Sequence, residues 1–169
     1  MNKFLLALVT VAALAGCRSP YSWTSDVPQK LRTVAVPTFR NESDVTELGV
    51  LAATQILREF QREGTFKIAR PDDAAVEVQG VITDVYVTSN GGDVRTGNRT
   101  TDCSLMMRAE VSVVERVNGR VLVDNKVYTA NTTFIAGPID SLTAERDASR
   151  RLTEDLAAQV VDDVLAVQW

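Results

Sequence analysis

The side chains able to do chemistry are soon counted in this 169-residue sequence, because histidine is absent and cysteine occurs twice, as Cys17 and Cys103. Without imidazole there is no Ser-His-Asp or Cys-His nucleophile, no His-ligated zinc and no shuttle that titrates near neutrality. Two cysteines make neither a disulfide scaffold nor a four-cysteine metal site. Paired acids occur at Asp72-Asp73 and Asp162-Asp163. The first pair reads as turn chemistry ahead of a strand. The second lies on a helix, where neighbouring side chains point about 100° apart and are poorly placed to share a metal or a proton. Asn90-Gly91-Gly92 lacks the lysine and the following helix of a phosphate-cradling loop. What remains is a group of cations, Arg95, Arg99, Arg108, Arg116 and Lys126, in and around one polar loop and hairpin. Arginine's planar fork suits phosphate, and charge-assisted hydrogen bonds are about twice as strong as neutral ones. Arg95, Arg99, Arg108 and Lys126 are the candidate anion-binding residues. Their surface is either the solvated side of a sheet or a face that meets a polar partner, and the residues leave both open. With 18 basic against 22 acidic residues there is no excess of positive charge for a nucleic-acid backbone. The counts point to a binding or structural module with no cofactor and no metal, and away from an enzyme.

Cys17 belongs to a different chemistry. Lys3 gives a charged start, and Phe4 to Ala15 runs apolar apart from Thr10. A helix needs about 20 residues to cross roughly 30 Å of hydrocarbon, so this run is too short to span and fits the core of a secretory signal. It ends in Leu14-Ala15-Gly16-Cys17, which resembles a bacterial lipobox, the motif whose cysteine sulfur takes a diacylglyceryl group. Residues 1–16 are then the signal peptide and Cys17 the acylated first residue. Each buried acyl CH₂ is worth ~0.8 kcal/mol, so two or three chains hold a domain on a membrane without a spanning helix. Arg18 stands where inner-membrane lipoproteins of the enteric type carry Asp, so by resemblance to that sorting rule the outer membrane is expected. The mature chain carries 17 basic and 22 acidic residues, a net charge of −5. Cys103, left without a partner, is expected to be a small buried hydrophobe.

The elements that must position these side chains follow from periodicity. Residues 17–30, the lipidated cysteine and a run rich in Ser, Pro and Thr, read as a flexible tether, and residues 31–169 as one domain. Leu31 to Val36 is a β-branched run stopped by Pro37. Asp44 with Glu47 resembles a capping box, and Val45, Leu48, Ala52, Ile56 and Phe60 form one stripe on a helix ending near Gly64. Phe66 to Ala69 is a brief extended piece. Val76, Val78, Gly80 and Ile82 alternate with polar residues, after which the apolar positions shift to Val85 and Val87; that phase change is read either as a bulge or, equally, as a slip of register at the strand end. Residues 88–102 read as a long polar loop. Leu105, Met107, Ala109, Val111 and Val113 share a face opposite Ser104, Arg108, Glu110 and Ser112. A three-residue loop at 117–119, with Gly119 left-handed, pairs Val113 with Val123 and Glu110 with Lys126. It puts Val121, Val123 and Val127 opposite Asp124, Lys126 and Tyr128. Asp140 or Ser141 starts a last helix whose stripe is Ala148, Leu152, Leu156, Val160 and Val164. The expected fold is α+β, a two-layer sandwich with two helices packed on one face of a four-stranded, mostly antiparallel sheet.

One stretch carries a family resemblance. A lipobox, Tyr21 soon after its cysteine, and Val34-Ala35-Val36-Pro37-Thr38-Phe39-Arg40-Asn41 leading into an acid-rich helix start resemble the lipopolysaccharide-assembly lipoprotein family, LptE. The likeness continues through Asp73-Ala74-Ala75-Val76, Gly80-Val81-Ile82, Arg150-Arg151-Leu152 and Asp155-Leu156-Ala157. The usual glycine before the tyrosine is Pro20 here, within the tether. The resemblance implies two helices on a four-stranded sheet. It implies a lipid-anchored outer-membrane protein that sits one-to-one as a plug in a large LptD-like β-barrel. Such a protein supports the barrel's assembly and helps deliver lipopolysaccharide to the outer leaflet, without catalysis. Basic side chains would engage lipid phosphates, for which Arg95, Arg99, Arg108 and Lys126 stand as candidates. Val-Ala-Val-x-x-Phe near the start of a lipoprotein is also similar to the curli-secretion pore lipoproteins, which form an oligomeric channel. Those chains are longer and supply membrane-spanning hairpins, for which no strand pair is left unassigned here.

Overall fold

The computed structural model of the chain describes residues 27–92, 101–137 and 141–169. The signal segment, Cys17, Arg95, Arg99, most of the tether and Asp140 lie outside these residues. After a 3-10 turn, Gln29–Leu31, come β1 (Thr33–Ala35), β2 (Arg40–Asn41), α1 (Leu48–Glu63), β3 (Lys67–Ile68), β4 (Val76–Gly92), β5 (Thr101–Glu115), β6 (Arg120–Ala136) and α2 (Ser141–Ala166). Two helices and a sheet make an α+β fold, but the sheet has six strands of mixed direction, not four mostly antiparallel ones. The path is β3-β1-β4-β5-β6, with β2 also on β4. β1 pairs parallel with β3 and β4, and β2 pairs parallel with β4. The two extra strands are two residues long, too short to show a period of two. Their direction follows from α1, which crosses between β1 and β4 and returns the chain parallel, as a helical connection must.

The element Val34 to Asn41 is a packing device. β1 buries Val34 and Ala35; the chain then swings out at Pro37 and drops Phe39 into the core. A Cβ on Gly80 would lie 2.1 Å from the Phe39 ring, and one on Gly49 would lie 2.3 Å from the Phe39 carbonyl oxygen, so both positions require glycine. The Phe39 N–H donates to the Gly49 carbonyl at 3.3 Å. Asn41 then shapes the approach to α1. Its Nδ2 donates to the Val45 carbonyl at 2.7 Å, and its Oδ1 accepts from the Ser43 N–H at 3.0 Å and hydroxyl at 2.7 Å. The expected capping box does not form: Glu47 is the N-cap with no side-chain cap bond, and Asn41 organises the turn in its place. α1 ends as expected at Gly64, left-handed at φ 80°, whose N–H donates to the Phe60 carbonyl at 3.0 Å.

Both apolar stripes are buried except at Val45, which precedes α1 and is half-buried. Leu48, Ala52, Ile56 and Phe60 of α1 and Ala148, Leu152, Leu156, Val160 and Val164 of α2 meet Val76, Val78, Ile82, Leu105, Met107, Ala109, Val111 and Val113 of the sheet in one core. Val27 joins this core, and so does Cys103, a free thiol, as expected. Burying a side chain of Leu or Val size is worth about 1.5–3 kcal/mol, so this layer is the main source of stability.

The long hairpins meet the expected register at some points and depart from it at others. β4 has a bulge at the phase change, between Ile82 and Asp84. Of the expected loop at 88–102, residues 88–92 belong to β4 and 101–102 to β5, with Thr88 paired with Ser104 and Ser89 with Cys103, while 93–100 lie outside the described residues; a ladder of Thr and Ser is polar yet extended. The β5–β6 turn holds four residues, 116–119, closed by Glu115 opposite Arg120, with Gly119 left-handed at φ 66° as expected. Val113 faces Val123 as predicted, but Glu110 faces Val127, and Lys126 lies opposite Val111. The cause is an extra residue in β6. Asn125 takes a positive φ of 38°, and its N–H donates to the Ser112 hydroxyl oxygen at 3.0 Å. Beyond that bulge every side chain changes face. Val127 is 43% exposed and Tyr128 is buried, the reverse of the expected order.

Candidate functional surface

The helices cover one face of β4, β5 and β6 and leave the other open. Register places rows of side chains across that open face. Asp84, Arg108 and Thr129 form one rung, Tyr86, Met106 and Asn131 the next, and Thr88, Ser104 and Thr133 a third. Arg108 therefore lies on the open face as read. The Tyr86 hydroxyl hydrogen-bonds Asp84, and this bond with the carboxylate's charge raises the phenol above its ordinary value, partly offset by Arg108. Apolar side chains are set among these polar ones. Tyr86 is 54% exposed, Met106 44% and Ile135 62%. The sequence pattern read this face as polar only, because Tyr86 was masked by the phase change and Val127 by the β6 bulge.

Lys126 is not brought to this face. As the partner of Val111 it stands on the helix side at the β6 edge, where its Nζ is ion-paired with the Asp163 carboxylate of α2. The Tyr128 hydroxyl donates to the same carboxylate oxygen at 2.6 Å, and the Lys126 ammonium lies 5.4 Å from the Tyr128 ring centre. Burial alone would raise the Asp163 carboxyl, but the bonds from Lys126 and Tyr128 outweigh it and hold the group below its usual range. Burial and the Asp163 bond push the Tyr128 phenol well above 10. Asp163 is a structural clasp that the acid pair at 162–163 did not announce. Arg116 is engaged as well, with Glu77 at 2.8 Å and the Pro71 carbonyl.

No group of three potential metal ligands occurs among the described residues. None of the described helices is long and apolar enough to cross a membrane. A groove of about 330 Å³ on the open face is lined by Thr38, Arg40, Glu77, Gln79, Glu110 and Ser112. Its lining is of mixed polarity, with Pro37 and Val81 beside the polar groups, and pairs no nucleophile with a base.

A family model for lipopolysaccharide-assembly proteins, LptE, matches residues 31–164. The chain belongs to the LptE family. The match runs from the last residue of the 3-10 turn nearly to the end of α2, and so spans every described strand, α1 and most of α2. Two solved structures share that fold. A hypothetical protein from Chlamydia trachomatis aligns with a TM-score of 0.56 and 15% identity, over 79% of this chain and 95% of its own. A minor lipoprotein from Acinetobacter baumannii aligns with a TM-score of 0.50 and 14% identity, over 80% of this chain and 94% of its own. No curated protein sequence matches the chain. LptE proteins are non-enzymatic lipoproteins of lipopolysaccharide assembly, and a role in that assembly is the general function membership gives this chain.

Proposed function

We propose that this LptE-family chain is anchored in the outer membrane through acyl groups on Cys17 and plugs a large LptD-like β-barrel, one copy to one. It supports the barrel's assembly and helps deliver lipopolysaccharide to the outer leaflet. The observation that supports this reading is the open sheet face, where Arg108, Asp84 and Thr129 alternate with Tyr86 and Met106 over strands as long as 17 residues. A wide face of mixed polarity suits the wet inner wall of a barrel, where a dry apolar patch would not. An obligate plug interface buries more than about 2,000 Å².

Delivery needs no bond making. Arg95, Arg99 and Arg108 take lipid phosphates in bidentate fashion, and Lys126 takes part by exchanging Asp163 for a phosphate. Photo-crosslinking tests the docking geometry. A photoreactive residue at Met106 is expected to crosslink to a large barrel protein in intact cells, and one at exposed Arg58 on α1 to do so far less. Equal yields from both positions, or none from Met106, would remove the open face as the docking surface.

A further inference from the structure

β6 is the last strand of the sheet, and its outer hydrogen-bonding edge is held shut by one stripe of α2. Residues 151, 155, 159 and 163 recur every four positions and so lie on one side of that helix. Arg151 Nη2 donates to the Thr133 carbonyl at 3.1 Å, and its Nε to the Thr132 hydroxyl at 3.4 Å. Gln159 Nε2 donates to the Thr129 carbonyl at 3.4 Å and to Asp155 Oδ2 at 3.2 Å. Asp163 holds Lys126 and Tyr128. The stripe thus clamps the same strand at three levels. Because the Thr129 and Thr133 carbonyls are taken from the α2 side, positions 129, 131 and 133 turn their backbone groups outward, away from β5.

The strand so clamped is a strong pairing sequence. Val127 to Ala136, VYTANTTFIA, contains no charge, no proline and no glycine, and is rich in β-branched and aromatic residues. It is guarded at its start by the Asp124–Asn125 bulge and Lys126, devices that blunt an edge, but no such device lies within it. An uncharged strand is compatible with its own copy. Two such edges meeting antiparallel about a two-fold axis oppose no like charges and satisfy each other's outward N–H and C=O groups.

We propose that the outer edge of β6 is a strand-pairing surface for a second copy of this chain, and that Arg151 and Gln159 on α2 hold it closed. This goes beyond the plug reading and does not depend on the barrel. The test uses the whole chain purified in mild detergent, with mass measured by light scattering after gel filtration and folding by circular dichroism. The wild type is expected to run as one copy, and Arg151→Ala/Gln159→Ala as two or more while retaining its helical signal. Adding Asn131→Pro, which removes an outward N–H without cutting the β5 ladder, is expected to restore the single copy. If the double variant does not fold, Gln159→Ala alone is read in the same way. A folded, monomeric unlocked variant overturns the proposal, as does association that Asn131→Pro fails to reverse.

Discussion

Asp163 shows how much one carboxylate can organise. Its folded pKa is depressed by Lys126 and Tyr128, so it contributes stability that is present above its unfolded value of 3.8 and is lost as pH falls through the folded one. Asp163→Asn is expected to lower the urea midpoint at neutral pH, and the deficit against wild type should shrink as the solution is made acid. A deficit that stays constant with pH would show that the ion pair is not its source. Tyr128 mirrors this on the alkaline side. Its phenol is raised, so its contribution is present below the unfolded value of 10.0 and is lost as pH rises through the higher folded one. A second residue-scale prediction concerns Gly80. Its missing side chain makes room for the Phe39 ring, so Gly80→Ala should cost about 1–3 kcal/mol by overpacking. Melting within a degree of wild type would mean that Phe39 moves freely, and the wedge account would fail. The third concerns ligand binding. Arg108→Glu should weaken lipopolysaccharide binding most at low salt, as should reversal of Arg95 and Arg99. Binding that is unchanged at every salt concentration would remove these arginines from the ligand's path.

At the level of elements, what decides the face a residue occupies is the bulge count before it. Periodicity placed both helices and their stripes, the β5 faces and the β4 phase change, because each rests on several residues repeating one pattern. It failed in β6, where the register shifts twice: between Val121 and Val123, which leaves Val121 exposed, and at Asp124–Asn125, where one extra residue reverses everything after it and leaves no trace in composition. That one residue carried Lys126 off the expected face and into the Asp163 clasp, while Arg108, on a strand whose parity was read correctly, stayed where it was expected. Of the two-residue strands, β3 falls within the extended piece read at Phe66 to Ala69, whereas β2 left no signal, since no period can be read from two positions. The paired substitutions Val111→Asp and Val127→Asp test this directly. The first buries an unpaired charge in the core and should cost more than about 4 kcal/mol; the second meets solvent and should cost less than about 1 kcal/mol. Similar losses from the two would show that the bulge is misplaced.

On the scale of the whole molecule, a short mixed sheet edge and three long strands do separate jobs. Parallel β1, β2 and β3 tie the first helix and the Phe39 wedge to β4, while the long antiparallel β4, β5 and β6 present a face that no helix covers. Family membership was legible in the Val34–Asn41 element because that element fixes the fold: it carries a strand, a core wedge and a turn former within eight residues. The ligand-contacting residues were less legible, since cations on a solvated sheet look alike whether they bind a phosphate or only water. Lipid attachment gives a further prediction: Cys17→Ala should release the chain from outer membranes into the soluble fraction, and retention there without acylation would contradict the anchor. The measurement that bears most directly on the central claim is a pull-down of the tagged, lipidated chain from outer membranes in mild detergent, with partner and stoichiometry read by mass spectrometry. The plug account predicts a large β-barrel protein at one copy to one. A homo-oligomer, or no barrel at all, would contradict it.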